Sequence, residues 1–317
     1  MPAIDELSAA FGLAAVTSAS LTSSGRVYRG RTASGDAVVL KRTAAAPDRA
    51  HAIAGWTTSL AQQAIRVVAP VMAPRRLADA YWVAYPYIEG RPYGTHPGDV
   101  RAAGDLLGRI HAAAVPDDVI DGLRYYEWPD TPREDVDADL EVLLDRCTSA
   151  LATGSRAASD ALSTLAGRWW SESLPALEQA DDDDPLARVA ASCGYRAGNL
   201  VYDADGHPTL VDPDNGGYEP RLLDLALAVV LFHNECPTAP ARMLTSHEWH
   251  ELWTAYSAHV TLTDRERALW PAAIDHMLWE EGTWVLEDND DAAWADPRQG
   301  GFLRDLAVTT PDRYPLV

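Results

Sequence analysis

The hydrophobic periodicity of this chain shifts from mainly alternating to mainly helical at Glu89-Gly90-Arg91-Pro92. Before that point the β-rich runs Arg26–Arg31, Ala37–Arg42, Arg66–Val71 and Tyr81–Ile88 read as strands. Thr32-Ala-Ser-Gly-Asp36 is the turn of a hairpin joining the first two. Two helical patterns accompany them. Residues 5–16 carry Leu7, Phe11 and Leu13 behind Asp5 as a cap, and residues 48–64 carry Ile53, Trp56 and Leu60 at helical spacing. After the break the pattern is helical, over 98–114, 134–152, 156–179, 220–235, 247–260 and 264–288. Strand pattern returns only at Asn199–Tyr202 and Thr209–Asp212, around a turn at Asp203-Ala-Asp-Gly206. The order predicts an α+β, two-lobed architecture. An antiparallel sheet lobe with a helix spans 1–88, a mainly helical lobe with an embedded hairpin spans 89–317, and the cleft between them is the expected ligand site.

Composition narrows the partners. Forty-seven acidic residues against 26 basic ones leave a net charge of −21. Such a surface repels phosphate backbones and anionic lipid, which argues against nucleic acid and membrane, and it attracts cations or simply keeps the chain soluble. Hydrophobic residues at 47% exclude a disordered chain. Cys147, Cys193 and Cys236 are odd in number and form no C-x-x-C pair, so neither a disulfide framework nor a zinc site is expected. The four histidines His233, His247, His250 and His259 have no metal-site spacing and read as core or surface residues. No basic leader and no long apolar run is visible, so a cytoplasmic protein is expected, as a monomer or a homodimer. Asp181–Asp184 reads as a solvated loop.

One lysine, Lys41, stands against 25 arginines. A compact ammonium holds phosphate as a point charge, a task distinct from that of a guanidinium fork. Lys41 lies on a predicted strand facing back to the Ser23-Ser24-Gly25 loop, whose amides and hydroxyls suit phosphate oxygens. Asn199 and Asp212 lie at the two ends of the embedded hairpin, which brings an amide oxygen and a carboxylate together, and Asp214 adds a second carboxylate. Oxygen ligands of this kind suit Mg²⁺. Phosphoryl transfer needs a phosphate loop, a lysine, metal ligands and a group that orients the nucleophile.

Three stretches resemble the aminoglycoside phosphotransferase and choline-kinase-like superfamily, which shares the protein-kinase fold. They are Tyr85-Pro-Tyr-Ile-Glu-Gly-Arg-Pro92, Ala103-Gly-Asp-Leu-Leu-Gly-Arg-Ile-His111, and Arg196-Ala-Gly-Asn199 followed by Val211-Asp-Pro-Asp214 and Leu222-Leu-Asp-Leu-Ala226. The resemblance implies ATP or GTP as phosphoryl donor. Lys41 would hold the α/β-phosphates, Asn199 and Asp212 would hold Mg²⁺, and backbone near Tyr87 and Ile88 would meet the purine. It implies transfer to a hydroxyl of a small polar acceptor, with an aminoglycoside or aminocyclitol as the family's best-known class. Resistance and biosynthesis both remain open as roles. For that acceptor, Glu127 and Asp130 are candidates for one wall. Trp284 and Glu287, with Trp279, Trp294, Glu280 and Glu281 nearby, are candidates for the other.

The chain departs from the family pattern H-G-D-x-x-x-x-N. Counting back from Asn199, the catalytic Asp falls on Gly194 and the His on Ser192. The 48–64 helix has no Glu to pair with Lys41; its only acid is Asp48. Arg196 is a candidate for the γ-phosphate and Asp214 for a substitute catalytic group. Three readings stay open: a kinase that uses another group, a pseudokinase that binds nucleotide or a small ligand without transfer, and a kinase in which Gly194 is an introduced change.

Overall fold

The computed structural model describes residues 3–21, 26–43, 46–94, 96–151 and 154–316. The expected Ser23-Ser24-Gly25 phosphate loop lies outside them. The front lobe runs α1 (Ile4–Ala10), β1 (Leu13–Ser20), β2 (Val27–Thr32), β3 (Ala37–Thr43), α2 (Pro47–Gln62), β4 (Met72–Leu77) and β5 (Ala80–Pro86). Its sheet is antiparallel in the order β1-β2-β3-β5-β4. One face packs Tyr28, Val38, Leu40, Trp82 and Ala84 against Leu7 and Phe11 of the leading helical segment.

Two local expectations fail here for identifiable reasons. The helix expected over 5–16 stops at Ala10, because Gly12 takes φ +57 and breaks the helical path. Residues 13–20 then pair with β2 as a strand. The strand expected at 66–71 is instead a strap. Val67 bridges Leu210, Leu210 N–H donates to Arg66 O at 3.0 Å, and Val68 N–H donates to Leu210 O at 3.0 Å. The edge strand β4 begins only at Met72. The strap ties the front lobe to the embedded hairpin of the rear lobe.

The rear lobe begins with β6 (Arg91–Pro92), α3 (Asp99–Ala112), α4 (Asp117–Ile120), β7 (Arg124–Tyr125), α5 (Arg133–Ala150), α6 (Ser155–Arg168) and α7 (Leu174–Asp183). It continues through β8 (Arg188–Ala191), β9 (Leu200–Tyr202), β10 (Pro208–Leu210), β11 (Gly217–Pro220) and α8 (Arg221–Leu231). It closes with α9 (Ser246–Tyr256), α10 (Asp264–Met277), α11 (Thr283–Asp288), α12 (Asp291–Ala295) and α13 (Gln299–Leu306). The long predicted helices 156–179 and 264–288 are each interrupted by a π-turn, at Trp169–Ser173 and Leu278–Gly282. Asp181 is not a solvated loop residue: it lies in the last turn of α7 and accepts from Trp128 Nε1 at 3.0 Å, Leu186 N at 2.8 Å and Arg188 Nη2 at 2.5 Å. Among the described residues no helix is long and apolar enough to cross a membrane.

The apolar α8 is buried along nearly its whole length and forms the axis of the rear core. Two close approaches set the positions of the elements around the cleft. A Cβ on Gly90 would lie 2.5 Å from Tyr202 O, so the segment joining the lobes can lie flat on β9, where Arg91 pairs with Tyr202. A Cβ on Gly104 would lie 2.2 Å from Leu252 O, so α3 and α9 meet backbone to backbone. Gly104→Ala is therefore expected to force these helices apart. The predicted loss is roughly 1–3 kcal/mol of stability, read as a lower denaturant midpoint.

Candidate active site

Lys41 sits mid-strand in β3, between Val27 of β2 and Val83 of β5. This fixes its stem on the sheet face that looks to the rear lobe. Its Nζ lies 2.5 Å from Asp212 Oδ1 and 3.0 Å from Asp214 Oδ2. Burial disfavours the ammonium, but Asp214 and Asp212 outweigh it and raise the Lys41 pKa above its ordinary value. Asp214 shifts in the opposite sense to a simple ion-pair partner. Burial, with Asp212 alongside, raises its pKa despite Lys41. The two shifts agree once charge is counted: two carboxylates share one ammonium, and negative charge is left over.

The hairpin ends meet as expected. Leu200 pairs with Leu210, and Val211 N–H donates to Asn199 O at 2.9 Å. Asn199 Nδ2 donates to Gly194 O at 3.1 Å, so its amide oxygen is the atom left for another partner. An amide oxygen beside two undercompensated carboxylates fits a hard divalent cation. From this group an apolar seam runs toward the segment joining the lobes, with Val68, Val83 and Tyr85 packed against Ile88 and Val211. Tyr87 does not offer its amide there. Its N–H donates to Ala37 O at 3.0 Å, and Arg29 covers its ring at 4.2 Å. Of the two residues expected to meet a purine, Ile88 is the one packed on the seam.

The loop before Asn199 is held from below. Cys193 takes φ +47, and its N–H donates to Asp224 Oδ1 at 3.1 Å. Asp224 Oδ2 accepts from His111 Nε2 at 2.8 Å, and His111 Nδ1 faces Tyr256 Oη at 2.9 Å. All three partners are buried. Gly194 contributes no side chain. A Cβ there would lie 3.2 Å from Asn215 Nδ2, so the Asn215 amide stands over it. Arg196 is drawn to Glu235 at 2.8 Å rather than left free. Glu219, buried beside Cys193 and Asp224, was not anticipated. Burial and the adjacent Asp224 raise its pKa well above the ordinary range.

On α2, Arg49 rather than a glutamate points to the cleft, and its Nη2 donates to Asn215 O at 2.8 Å. Asp48 is exposed at the start of the helix and makes no ion pair among the described residues; the carboxylates on Lys41 come from the rear lobe. This outcome was not legible from the helix pattern.

An aromatic wall adjoins the loop. Trp169 Nε1 donates to His276 Nδ1 at 3.0 Å, which fixes the proton of this imidazole on Nε2, facing Tyr126 Oη at 2.5 Å. Burial lowers the His276 pKa to about 3. Tyr126 and Trp128 pack edge to face at 5.1 Å. The π-turn sets Glu280 and Glu281 next to this wall, a placement the helical pattern did not reveal. Burial raises the Glu280 pKa to about 7, with Glu281 and Asp139 adding to it. Burial also raises Glu281, against the opposing pull of Arg124 and Arg196. Glu281 is open to solvent at its own surface, so its shift reflects the protein packed around it rather than full enclosure. Among the described residues Glu127, Asp130, Trp284 and Glu287, expected in the acceptor walls, make no hydrogen bond or ion pair to Lys41, Asn199 or Asp212. Trp284 is 69% exposed, whereas Trp279 and Trp294 are core.

A family model for phosphotransferase enzymes (APH) matches residues 16–259. The chain belongs to this phosphotransferase enzyme family. Solved structures give the same fold at low identity. The amicoumacin kinase hAmiN, solved in complex with AMP-PNP, Ca²⁺ and Ami, aligns with a TM-score of 0.64 at 16% identity, covering 98% of this chain and 93% of its own. An aminoglycoside phosphotransferase from Alicyclobacillus acidocaldarius aligns at 0.59 and 13%, covering 96% of each chain. Spectinomycin phosphotransferase in complex with ADP and spectinomycin aligns at 0.57 and 12%, covering 98% and 97%. No curated protein matches the sequence. The two-lobed phosphotransferase fold with its protein-kinase-like sheet is thus the architecture of this chain.

The wall carries a pH signature. Folding holds Glu280 at about 7 against an ordinary glutamate at 4.5, so the folded chain keeps a proton that the unfolded chain releases. Stability is expected to fall as pH rises through that window. Glu280→Gln should flatten this part of the slope in unfolding midpoints measured against pH; an unchanged slope would assign it to another group.

Proposed function

We propose that this chain is a nucleotide- and Mg²⁺-dependent phosphotransferase acting on a hydroxyl of a small polar acceptor. One observation carries the reading: Lys41 of the front lobe meets Asp212 and Asp214 of the rear lobe, beside Asn199. In this reading Lys41 holds the α/β-phosphates of ATP or GTP. Asn199 and Asp212 hold Mg²⁺, which when bound neutralises phosphate charge. The Val68–Ile88 seam takes the purine, with backbone at Ile88 as its polar contact. The nucleotide and divalent ion named for hAmiN and the ADP named for spectinomycin phosphotransferase support the donor assignment. Glu280 and Glu281 line the wall for a cationic acceptor of the aminocyclitol kind, whose ammonium would offset the burial that favours their protonated forms. The reading places the protein in the cytoplasm.

Gly194 favours a second reading, a pseudokinase, because it stands where the family's catalytic carboxylate belongs. Loss of a general base slows transfer by about 10²–10⁴-fold without removing the positioning of the phosphates.

Two experiments separate these readings. Lys41→Met is expected to weaken Mg·ATP and Mg·GTP binding at least about tenfold by calorimetry, since a charge-assisted contact is lost; unchanged affinity would end the assignment of Lys41. Turnover of aminocyclitols is then compared between the natural chain and Gly194→Asp. Transfer by the natural chain supports the enzyme, and transfer by the Asp variant alone supports the pseudokinase.

A further inference from the structure

Two arginines beside the Gly194 loop, Arg49 and Arg124, make no ion pair among the described residues, whereas Arg196 is taken by Glu235. Arg49 and Arg124 converge on one segment, Asn215–Gly217. Arg49 Nη2 donates to Asn215 O at 2.8 Å and lies 3.4 Å from Gly216 O. Arg124 is in register with Gly217 in the parallel pairing of β7 and β11. That segment faces the loop directly: Asn215 Nδ2 stands over Gly194, and a Cβ on Gly217 would lie 3.1 Å from Cys193 Sγ. Among the described residues neither arginine makes an ion pair, although Asp214 acts on Arg49 and Glu219 and Glu281 on Arg124 through space, and Arg49 Nε is buried without a hydrogen-bond partner. Asn215 is exposed, and its side-chain amide makes no hydrogen bond among the described residues. Burial and then Arg124 lower the Arg49 pKa, with Cys193 and Asp214 opposing them only in part.

We infer that this cradle of Arg49, Arg124 and Asn215 binds an anionic group, carboxylate or phosphate, carried by the acceptor itself beside its reacting hydroxyl. The inference rests on the reading of Gly194 as the place of the missing carboxylate, and it adds an anionic group beside the hydroxyl of the small polar acceptor proposed above. A net charge of −21 repels such a molecule at long range, so these two arginines are the local positive charge that would hold it. The substrate then supplies what Gly194 lacks. As the hydroxyl oxygen bonds to the γ-phosphorus and the bond to the β-phosphate oxygen breaks, the hydroxyl proton passes to the substrate's own anionic oxygen. The nucleoside diphosphate leaves, and no group of the protein changes its proton count. Glu280 and Glu281 remain available for an ammonium on the same molecule.

Inorganic phosphate and acetate, titrated by calorimetry into the full chain saturated with Mg·ADP, test the cradle. One of the two anions is expected to bind, and which one binds names the group. Arg124→Met, at an exposed position, and Arg49→Met should each weaken it at least about tenfold, as loss of a charge-assisted contact implies. Transfer is then compared on matched pairs, a hydroxy acid with its amide and a sugar phosphate with its free sugar. The anionic member is expected to be preferred, and Gly194→Asp to narrow the preference by restoring a carboxylate to the protein. Failure of both anions to bind, binding indifferent to both arginines, or equal transfer to neutral members would overturn the inference. The nucleotide reading fails separately: if Mg·ADP does not bind, arginine-dependent phosphate binding is still measurable on the nucleotide-free chain.

Discussion

The contact between Lys41 and the Asp212–Asp214 pair joins two separately built halves of the molecule. Lys41 is placed by strand pairing in the front sheet, and the aspartates by the end of the hairpin in the rear lobe. Neither lobe satisfies its own charges there. An ammonium pressed into a half-buried site needs anions, and two carboxylates this close need more positive charge than one lysine brings. The surplus gives the cleft its polarity. Where many kinases use a helix glutamate to steady the lysine, this chain brings the rear carboxylates to it directly, and α2 presents Arg49 instead.

The surrounding structure keeps that meeting in register. The 66–68 strap and the Arg91–Tyr202 pairing fasten the front lobe to the same hairpin that carries Asn199 and Asp212. Beneath the loop, Asp224 uses both oxygens, on Cys193 N–H and on His111. A buried carboxylate satisfied on both sides holds the left-handed turn at Cys193 in place. Gly194 is thus set into a rigid frame, and what changes at that position is the chemistry of the side chain rather than the path of the backbone.

Much of this was legible in the residues. The switch from alternating to helical periodicity located the lobes, and strands β2, β3 and β5 and helix α2 fell where the pattern put them. The two ends of the hairpin met because tight turns leave no other choice. The misses share a cause. Residues 13–20 carry only two large apolar side chains, Leu13 and Val16, and only the pairing with β2 makes them a strand. The two-residue strand β7 and the short β8 and β11 have no signal of their own, yet they bring Arg124 and Glu219 to the loop. The π-turn that turns Glu280 and Glu281 toward Tyr126 inserts one residue into an otherwise regular helix, which periodicity over a long window averages away.

Local sequence alone determined the lobe order, the strand that bears the single lysine, the hairpin that bears the amide and carboxylates, and the absence of a carboxylate at Gly194. These follow from turn chemistry, side-chain period and residue identity, all properties of neighbours in the chain. Tertiary structure decided which charges meet. Arg196 went to Glu235, Arg49 went to the backbone of Asn215 and Gly216, and Arg124 was set in register with Gly217. Such pairings depend on the distance between residues far apart in sequence and on how much water separates them, and neither quantity exists until the two lobes have packed.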